Sequence, residues 1–474
     1  MLFFLLYQAL PLALLWLALE RLCRHPGPAR WAAPAVFILG AAAQCILWGR
    51  SRPDLENPDS LGFWRIGHGL ETDLRSFLYR PKLYPWFLGL FATPKAAAFA
   101  QCLLKLGMGG WILRAARALG WRPATAAFAL ALFMVHNLWL REPLRILDTA
   151  LFGFLFLGSL VLAMEAVLKP GSARFAAFCA AAALTSLCRQ VADPLLIAIG
   201  AVCLAKTIAA RPARWALPAA AAVAALFLAS SGALFNGMSR GAYVRSVALG
   251  VNIYTHYAYY ELADPAAPEW GFVEARLPGA RSGIPRWRTE WRSDMPWSVN
   301  ALPHHLERAL GSSDLRAIRA ADSLLVRRAL DGMAGKPARY LSAFANEWAR
   351  LLSKCEGDYP TPFLARGRAA IRLERGLTHI PLWLMLLAAC PGCIIARGRR
   401  LALALPLAAA LGYLALIAAI QIGLGRYGMP AWILLLLPAA HALDRIPSPI
   451  PYRSSQARPP GGGPVPYAAP PAAT

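Results

Sequence analysis

The chain has 474 residues, of which 58% are hydrophobic and 16% charged, with a mean hydropathy of +0.44. A soluble enzyme carries about 25% charged residues; here the apolar surplus is gathered into long runs, which excludes disordered, collagen-like and disulfide-scaffold chains. A formal charge of +24 would suit a nucleic-acid binder, but the placement of the charges assigns them to membrane topology, and no nucleic-acid partner is expected.

A bilayer core takes about 20 mostly apolar residues per helix. On that measure the sequence predicts an all-α polytopic membrane protein with about eleven spans. They lie near 2–19, 31–48, 84–113, 124–140, 148–168, 175–188, 194–207, 215–235, 378–395, 401–423 and 428–443. The pair 175–188 and 194–207 is short and joined by the polar turn Arg189-Gln190, as in a hairpin that does not cross cleanly.

Every second short connection is basic: Arg21, Arg24 and Arg30, then Arg114, Arg117 and Arg122, Lys169 and Arg174, Lys206, Arg211 and Arg214, and Arg397, Arg399 and Arg400. Basic loops stay cytoplasmic. Segments 49–83, 141–147, 189–193, 236–377 and 424–427, with the N-terminus, are therefore expected outside. The first span has no basic leader, which favours a retained helix over a cleaved signal peptide. The domains expected are a transmembrane module 1–235 that includes outer loop 49–83, a small, mainly helical outward domain 236–377, transmembrane helices 378–445 and a disordered Pro/Gly-rich inner tail 446–474. Within the outward domain, 312–353 has the periodicity of an amphipathic surface helix.

Nine cysteines are scattered singly, mostly in apolar runs, and no Asn-x-Ser/Thr sequon occurs. Cys390-Pro-Gly-Cys393 has redox or metal spacing, but no second pair accompanies it and it ends a hydrophobic helix.

Ionisable residues at membrane depth are costly and usually mark a site. His136, Asn137, Asp148, Arg189, Asp193, Gln421 and Arg426 all fall near the outer headgroup plane. Snorkelling explains any one of them; their convergence favours a site. Gln101 and Lys105, deeper in the third span, do not fit this pattern. Loop 49–83 adds closely spaced carboxylates and cations, most of them explicable as a hydrated loop. A carboxylate beside a cation is also what transfer onto a hydroxyl or amine needs: a base for the acceptor proton and a charge to hold the departing anion.

Asp59-Ser60-Leu61-Gly62-Phe63, followed by Tyr79-Arg80-Pro81-Lys82-Leu83-Tyr84-Pro85, resembles the first outer loop of the GT-C glycosyltransferases that use polyprenyl-phosphate sugars, among them the protein O-mannosyltransferases and the aminoarabinose transferases. Ile146-Leu147-Asp148, Leu187-Cys188-Arg189, Gly250-Val251-Asn252-Ile253 and Arg426-Tyr427-Gly428-Met429-Pro430 resemble later motifs of that family, in order. The chain departs from the pattern at Ser60, where a second acid is usual, at Lys82, where a second proline is usual, and in the additional helix 2–19.

The resemblance implies an inverting transfer at the outer face of the membrane. Asp59 would be the base and Asp148 would orient substrate or a cation. Arg80 would hold the donor phosphate, helped by Lys82, Arg189 and Arg426, with Tyr84, His136 and Tyr427 against the substrates. The partners implied are a polyprenyl-phosphate-linked sugar, membrane lipid, and a lipid, glycan or protein acceptor. The Ala-, Arg- and Leu-rich usage suggests a bacterial inner membrane. Because the donor is already activated, no cofactor and no sugar-nucleotide metal site is required; Asp54-Leu55-Glu56 nevertheless has a spacing that can take a divalent cation.

Three weaker signals are set aside. Gly423-x-Gly425-x-x-Gly428 follows a membrane helix rather than a strand. His304, His305 and Glu307 lack further ligands nearby in sequence and read as surface polarity. Tyr257, Tyr259 and Tyr260 suit interfacial anchoring as well as sugar stacking. The competing functions are an O-antigen ligase or polymerase, a transporter or flippase of lipid-linked sugars, which would show paired repeats, and a silent scaffold.

Overall fold

The computed structural model describes residues 2–53, 55, 58–210, 215–262, 264, 266–283, 301–310, 314–353, 382–396, 398–420 and 425–446. Among them every regular element is helical. Helices α1 (Leu2–Leu22) and α2 (Pro26–Arg50) are followed by three short ones, α3 (Pro58–Gly67), α4 (Leu74–Tyr79) and α5 (Leu83–Leu88). Then come α6 (Pro94–Leu119), α7 (Pro123–Val135), α8 (Asn137–Arg141), α9 (Thr149–Leu168), α10 (Ser172–Cys188), α11 (Asp193–Ala210) and α12 (Ala216–Arg240). A second body runs through α13 (Leu249–Glu261), α14 (Glu269–Glu274), α15 (Ala280–Gly283), α16 (Ala301–Leu310), α17 (Leu315–Ala334) and α18 (Pro337–Ser353). The chain returns through α19 (Leu382–Ile395), α20 (Arg400–Ile420) and α21 (Gly425–Arg445).

Six helical stretches are long and apolar enough to cross a bilayer: Gly27–Arg50, Pro94–Leu119, Thr149–Leu168, Gln190–Ala210, Ala216–Arg240 and Arg400–Ala419. This is a multi-pass α-helical membrane protein. A seventh span results if Pro123–Val135 and Leu138–Leu144, bent by 64° against each other, count as one. The helices Ser172–Cys188 and Leu382–Ile395 are apolar but shorter.

Two expected spans are built differently from the sequence reading. The stretch 84–113 is not one helix: α5 stops at Leu88, and α6 restarts at Pro94, where the Thr93 hydroxyl accepts from the Ala96 amide at 3.2 Å. A Thr-Pro pair caps and opens a helix, so the apolar run conceals a break. The stretch 124–140 breaks where His136 takes extended backbone (φ −60°, ψ 122°).

A broken helix at membrane depth strands carbonyls that lipid cannot satisfy. Here Gln101 and Lys105 find their purpose. Lys105 Nζ donates to the Met134 carbonyl at 3.2 Å and to Gln44 Oε1 at 2.8 Å, while Gln44 Nε2 donates to the Leu140 carbonyl at 3.2 Å. Gln101 Nε2 donates to the Arg145 carbonyl at 2.6 Å. Three polar side chains thus re-satisfy the bend that delivers the chain to Asp148.

The membrane helices share one continuous core, in which Trp139, Phe152, Phe156, Tyr413 and Trp432 are buried. Helices α19 and α21 cross so closely that a Cβ at Gly392 would overlap the Pro438 carbonyl oxygen. Cys390-Pro-Gly-Cys393 is therefore a helix-packing sequence; Cys390 is exposed, and Cys393 Sγ donates to the Leu403 carbonyl at 3.4 Å.

The second body has its own core around Tyr254, Trp270, Val273, Leu306 and Leu325. Glu269 pins it, accepting from Tyr254 Oη at 2.5 Å, Tyr257 Oη at 3.2 Å and Arg328 Nε at 2.8 Å. Tyr257 is thereby committed to the interior rather than to an open stacking platform. The expected amphipathic helix is two helices, α17 and α18, separated at Gly335-Lys336 before Pro337; Phe344, Trp348 and Leu352 of α18 pack on the membrane core. A third small cluster, Ile66, Phe77 and Leu78 with Ala242, Val247 and Ile318, fastens the loop helices α3 and α4 to the second body.

Candidate functional site

Helix α3 opens at Pro58, which puts Asp59 in its first turn, where the helix dipole favours a carboxylate. Helix α4 is capped at its start by Asp73, which accepts from the Ser76 amide at 3.0 Å, and is closed by Arg80 in extended backbone (φ −102°, ψ 136°). The Arg80 side chain turns back across the rings of Phe63 and Tyr79, 5.3 and 5.7 Å from their centroids, and Nη2 donates to Asp59 Oδ1 at 3.2 Å. Gly62 makes room for it: a Cβ there would stand 2.5 Å from Arg80 Cζ. The Tyr79 hydroxyl donates to Asn252 Oδ1 at 3.2 Å, and Ser246 Oγ donates to the Tyr79 carbonyl at 3.0 Å, so the start of the second body holds this turn.

A second acid–base pair stands at two helix ends. Asp148 is the residue before the first turn of α9, and Arg189 the one after the last turn of α10, each on the side of its helix dipole that favours its charge. Arg189 grips the carboxylate with two parallel bonds, Nε to Oδ2 at 2.6 Å and Nη2 to Oδ1 at 2.5 Å. It also lies 5.0 Å from the Phe152 ring centroid and donates to Tyr413 Oη at 3.2 Å. The forked geometry and burial make this a strong, directional pair. Nearby, Arg245 Nη1 donates to Asp193 at 2.8 Å and Nη2 to Ser186 Oγ at 2.6 Å, tying the entry of the second body to the α10–α11 turn.

Both pairs line one cavity of about 330 Å³, with Tyr79, Gln190, Ser246 and Asn252 supplying further polar groups and Phe63, Leu147, Val191 and Ile417 apolar ones. A second cavity of about 410 Å³ shares Asp59, Tyr79 and Arg80 with the first and opens between loop 49–83 and α16. The Asp59–Arg80 pair is therefore a wall common to two chambers.

Of the residues expected in the site, Asp59, Arg80, Asp148 and Arg189 meet in the first cavity; Lys82, Tyr84 and His136 do not line it. Lys82 is buried, and its ammonium donates to the Phe77 carbonyl and to the Arg80 carbonyl at 3.0 Å, bracing the turn from within. Burial, with Arg80 and Arg240 nearby, lowers its pKa to about 7. Tyr84 is fully buried and donates to Gln101 Oε1 at 3.1 Å. His136 is buried with its ring 4.2 Å from that of Trp432. Arg426 and Tyr427 begin α21, but their side chains, like Asp54, Glu56, Gln421 and the tail 447–474, lie outside the described residues. Among the described residues no three His, Cys, Asp or Glu side chains are arranged to hold a metal ion.

His304, His305 and Glu307, expected from sequence to be polar groups of the surface rather than metal ligands, line the second cavity together with Asp59. His304 stands edge-on to Tyr79 at 4.9 Å, and burial, then Arg80, lowers its pKa to about 4. Nothing local distinguishes these residues from an ordinary polar helix; only their distance of some 240 positions from Asp59, closed by the fold, brings them there.

No family model, curated protein or solved structure matches the chain.

Proposed function

We propose that the chain is a membrane glycosyltransferase of GT-C architecture, with about eleven spans, that moves a sugar from a polyprenyl-phosphate donor to an acceptor at the outer face of a bacterial inner membrane. The observation that carries this reading is one cavity lined by Asp59, Arg80, Asp148 and Arg189, the residues that the family resemblance selects from four separate stretches of sequence. A lipid-linked donor is held at the membrane surface, so its transferase needs charged groups at the junction of membrane helices and outer body, where these four lie.

In this reading the acceptor hydroxyl gives its proton to the Asp59 carboxylate as its oxygen attacks C1 of the sugar. The bond from C1 to the phosphate oxygen breaks from the opposite face, with inversion, and its electron pair leaves on the polyprenyl phosphate. Arg80 exchanges its carboxylate partner for that phosphate, which both releases Asp59 to act as base and stabilises the departing anion. The Arg189–Asp148 pair has its partners already and orients the donor rather than reacting. Lys82 takes no part, because its ammonium is spent on two carbonyls.

Purified protein given a polyprenyl-phosphate sugar and an acceptor should release polyprenyl phosphate. Asp59→Asn should lower turnover by about 10²- to 10⁴-fold while leaving the melting temperature close to that of the native chain; normal turnover by the Asn variant would remove Asp59 as the base. A transporter would move the lipid without cleaving it, so the absence of released phosphate beside movement of labelled lipid would favour that alternative.

A further inference from the structure

The second cavity differs in chemistry from the first. Leu61 is the only aliphatic side chain among its described lining residues, so it is not a channel for a lipid tail. Two of its acids are consumed locally: Glu71 accepts from the Asp73 amide at 3.0 Å, and Asp73 caps α4. Two of its cations are not: Arg65 on α3 and Arg308 on α16 are exposed and make no ion pair among the described residues. On the same wall, Glu307 is 3% exposed, and its Oε1 has no hydrogen-bond partner. A buried acceptor without a donor is destabilising and marks a place where a ligand group completes the structure.

We propose that this cavity binds a phosphate-bearing polyol, of the glycerol phosphate or sugar phosphate class, with the phosphate between Arg65 and Arg308 and a hydroxyl donating to Glu307. Guanidinium pairs are the usual cradle for phosphate, and a carboxyl beside a phosphate is tolerated when it is neutral. Burial, then Asp322, raises the Glu307 pKa to about 7, so the acid form that spares such repulsion persists close to neutrality. Asp59 on the shared wall makes the bound polyol the sugar acceptor; that last step, unlike the binding itself, rests on the transferase reading.

The full chain in phosphatidylcholine nanodiscs, titrated calorimetrically with glycerol 3-phosphate, should bind it about 100-fold more tightly than glycerol. Arg65→Gln and Arg308→Gln should each weaken binding about tenfold, with Arg316→Gln, an exposed charge outside the cavity, as the unchanged control. Glu307→Leu should weaken glycerol 3-phosphate but not inorganic phosphate, and Glu307→Gln, which keeps an acceptor oxygen, should retain affinity. Equal affinity for glycerol and glycerol 3-phosphate, or native affinity in both arginine variants, would overturn the site. In nanodiscs containing phosphatidylglycerol, competition with the soluble compound identifies a lipid headgroup as the source and its absence a soluble one; both are the proposed chemistry. Arginine-dependent binding without any sugar transfer would sink the transferase reading and leave the site. Transfer with arginine-independent binding would do the reverse.

Discussion

Asp148 and Arg189 are nearly buried, and each is the other's counter-ion. Breaking such a pair from one side leaves an uncompensated charge, which costs about 3–5 kcal/mol, whereas removing both partners costs much less. Arg189→Ala should therefore lower the melting temperature in detergent more than the double variant Asp148→Ala/Arg189→Ala. A double variant as unstable as the sum of the singles would show that the pair is not coupled. In the second body, Glu307 and His304 oppose each other as pH changes. Glu307 has a folded pKa of about 7 against 4.5 unperturbed, so the folded state holds its proton through that window and loses stability as pH rises across it. His304, at about 4 against 6.5, is held neutral by the fold, which loses stability as pH falls from 6.5 toward 4. Glu307→Gln should abolish the loss that accumulates as pH rises from 4.5 to 7 and leave the His304 loss on acidification; the same pH profile in the native chain and the Gln variant across that window would contradict the burial of that carboxyl.

The bend between α7 and α8 is the least conventional element, and it depends on side chains from two other helices. Lys105 carries the most, serving the Met134 carbonyl and holding Gln44 in place. Lys105→Met keeps the volume and removes the donor, leaving an unsatisfied carbonyl in an apolar setting at a cost of about 1–3 kcal/mol. The expected result is a lower melting temperature together with reduced turnover, because the segment that follows carries Asp148. A variant as stable as the native chain would mean that the freed carbonyl finds another donor. These deep polar residues looked anomalous in sequence because their partners are backbone carbonyls, which no side-chain pattern advertises.

Across the molecule, the transferase reading requires loop 49–83 and the outer body to face away from the cytoplasm. In a cysteine-free background, Thr72→Cys, in an exposed stretch of that loop, should react with a membrane-impermeant maleimide added to intact cells. Labelling only after the membrane is opened would reverse the orientation and leave the proposed donor on the wrong side. The second body is held to the membrane part by more than its two connections. Ile66, Phe77 and Leu78 of the loop share a core with Val247 and Ile318, and Arg245 bridges to Asp193 and Ser186. The two cavities consequently have walls from both bodies.

Hydrophobic run length was enough to specify a helical membrane protein, because the cost of exposing apolar residues to water and backbone to lipid leaves few other solutions. Motif order along the chain points to Asp59, Arg80, Asp148 and Arg189, and the fold brings these four to one cavity. That order could not say that Lys82, Tyr84 and His136 turn inward. That outcome depends on which side of a short helix faces the protein, and a proline-punctuated run of a few residues has no periodicity to reveal it. Nor could it join His304 and Glu307 to Asp59, since a contact between segments so far apart is set by how α16 packs on the loop and by nothing local to either. Chain-local physics decides what is buried in the membrane and where helices stop; which charged groups share a chamber is decided by packing alone.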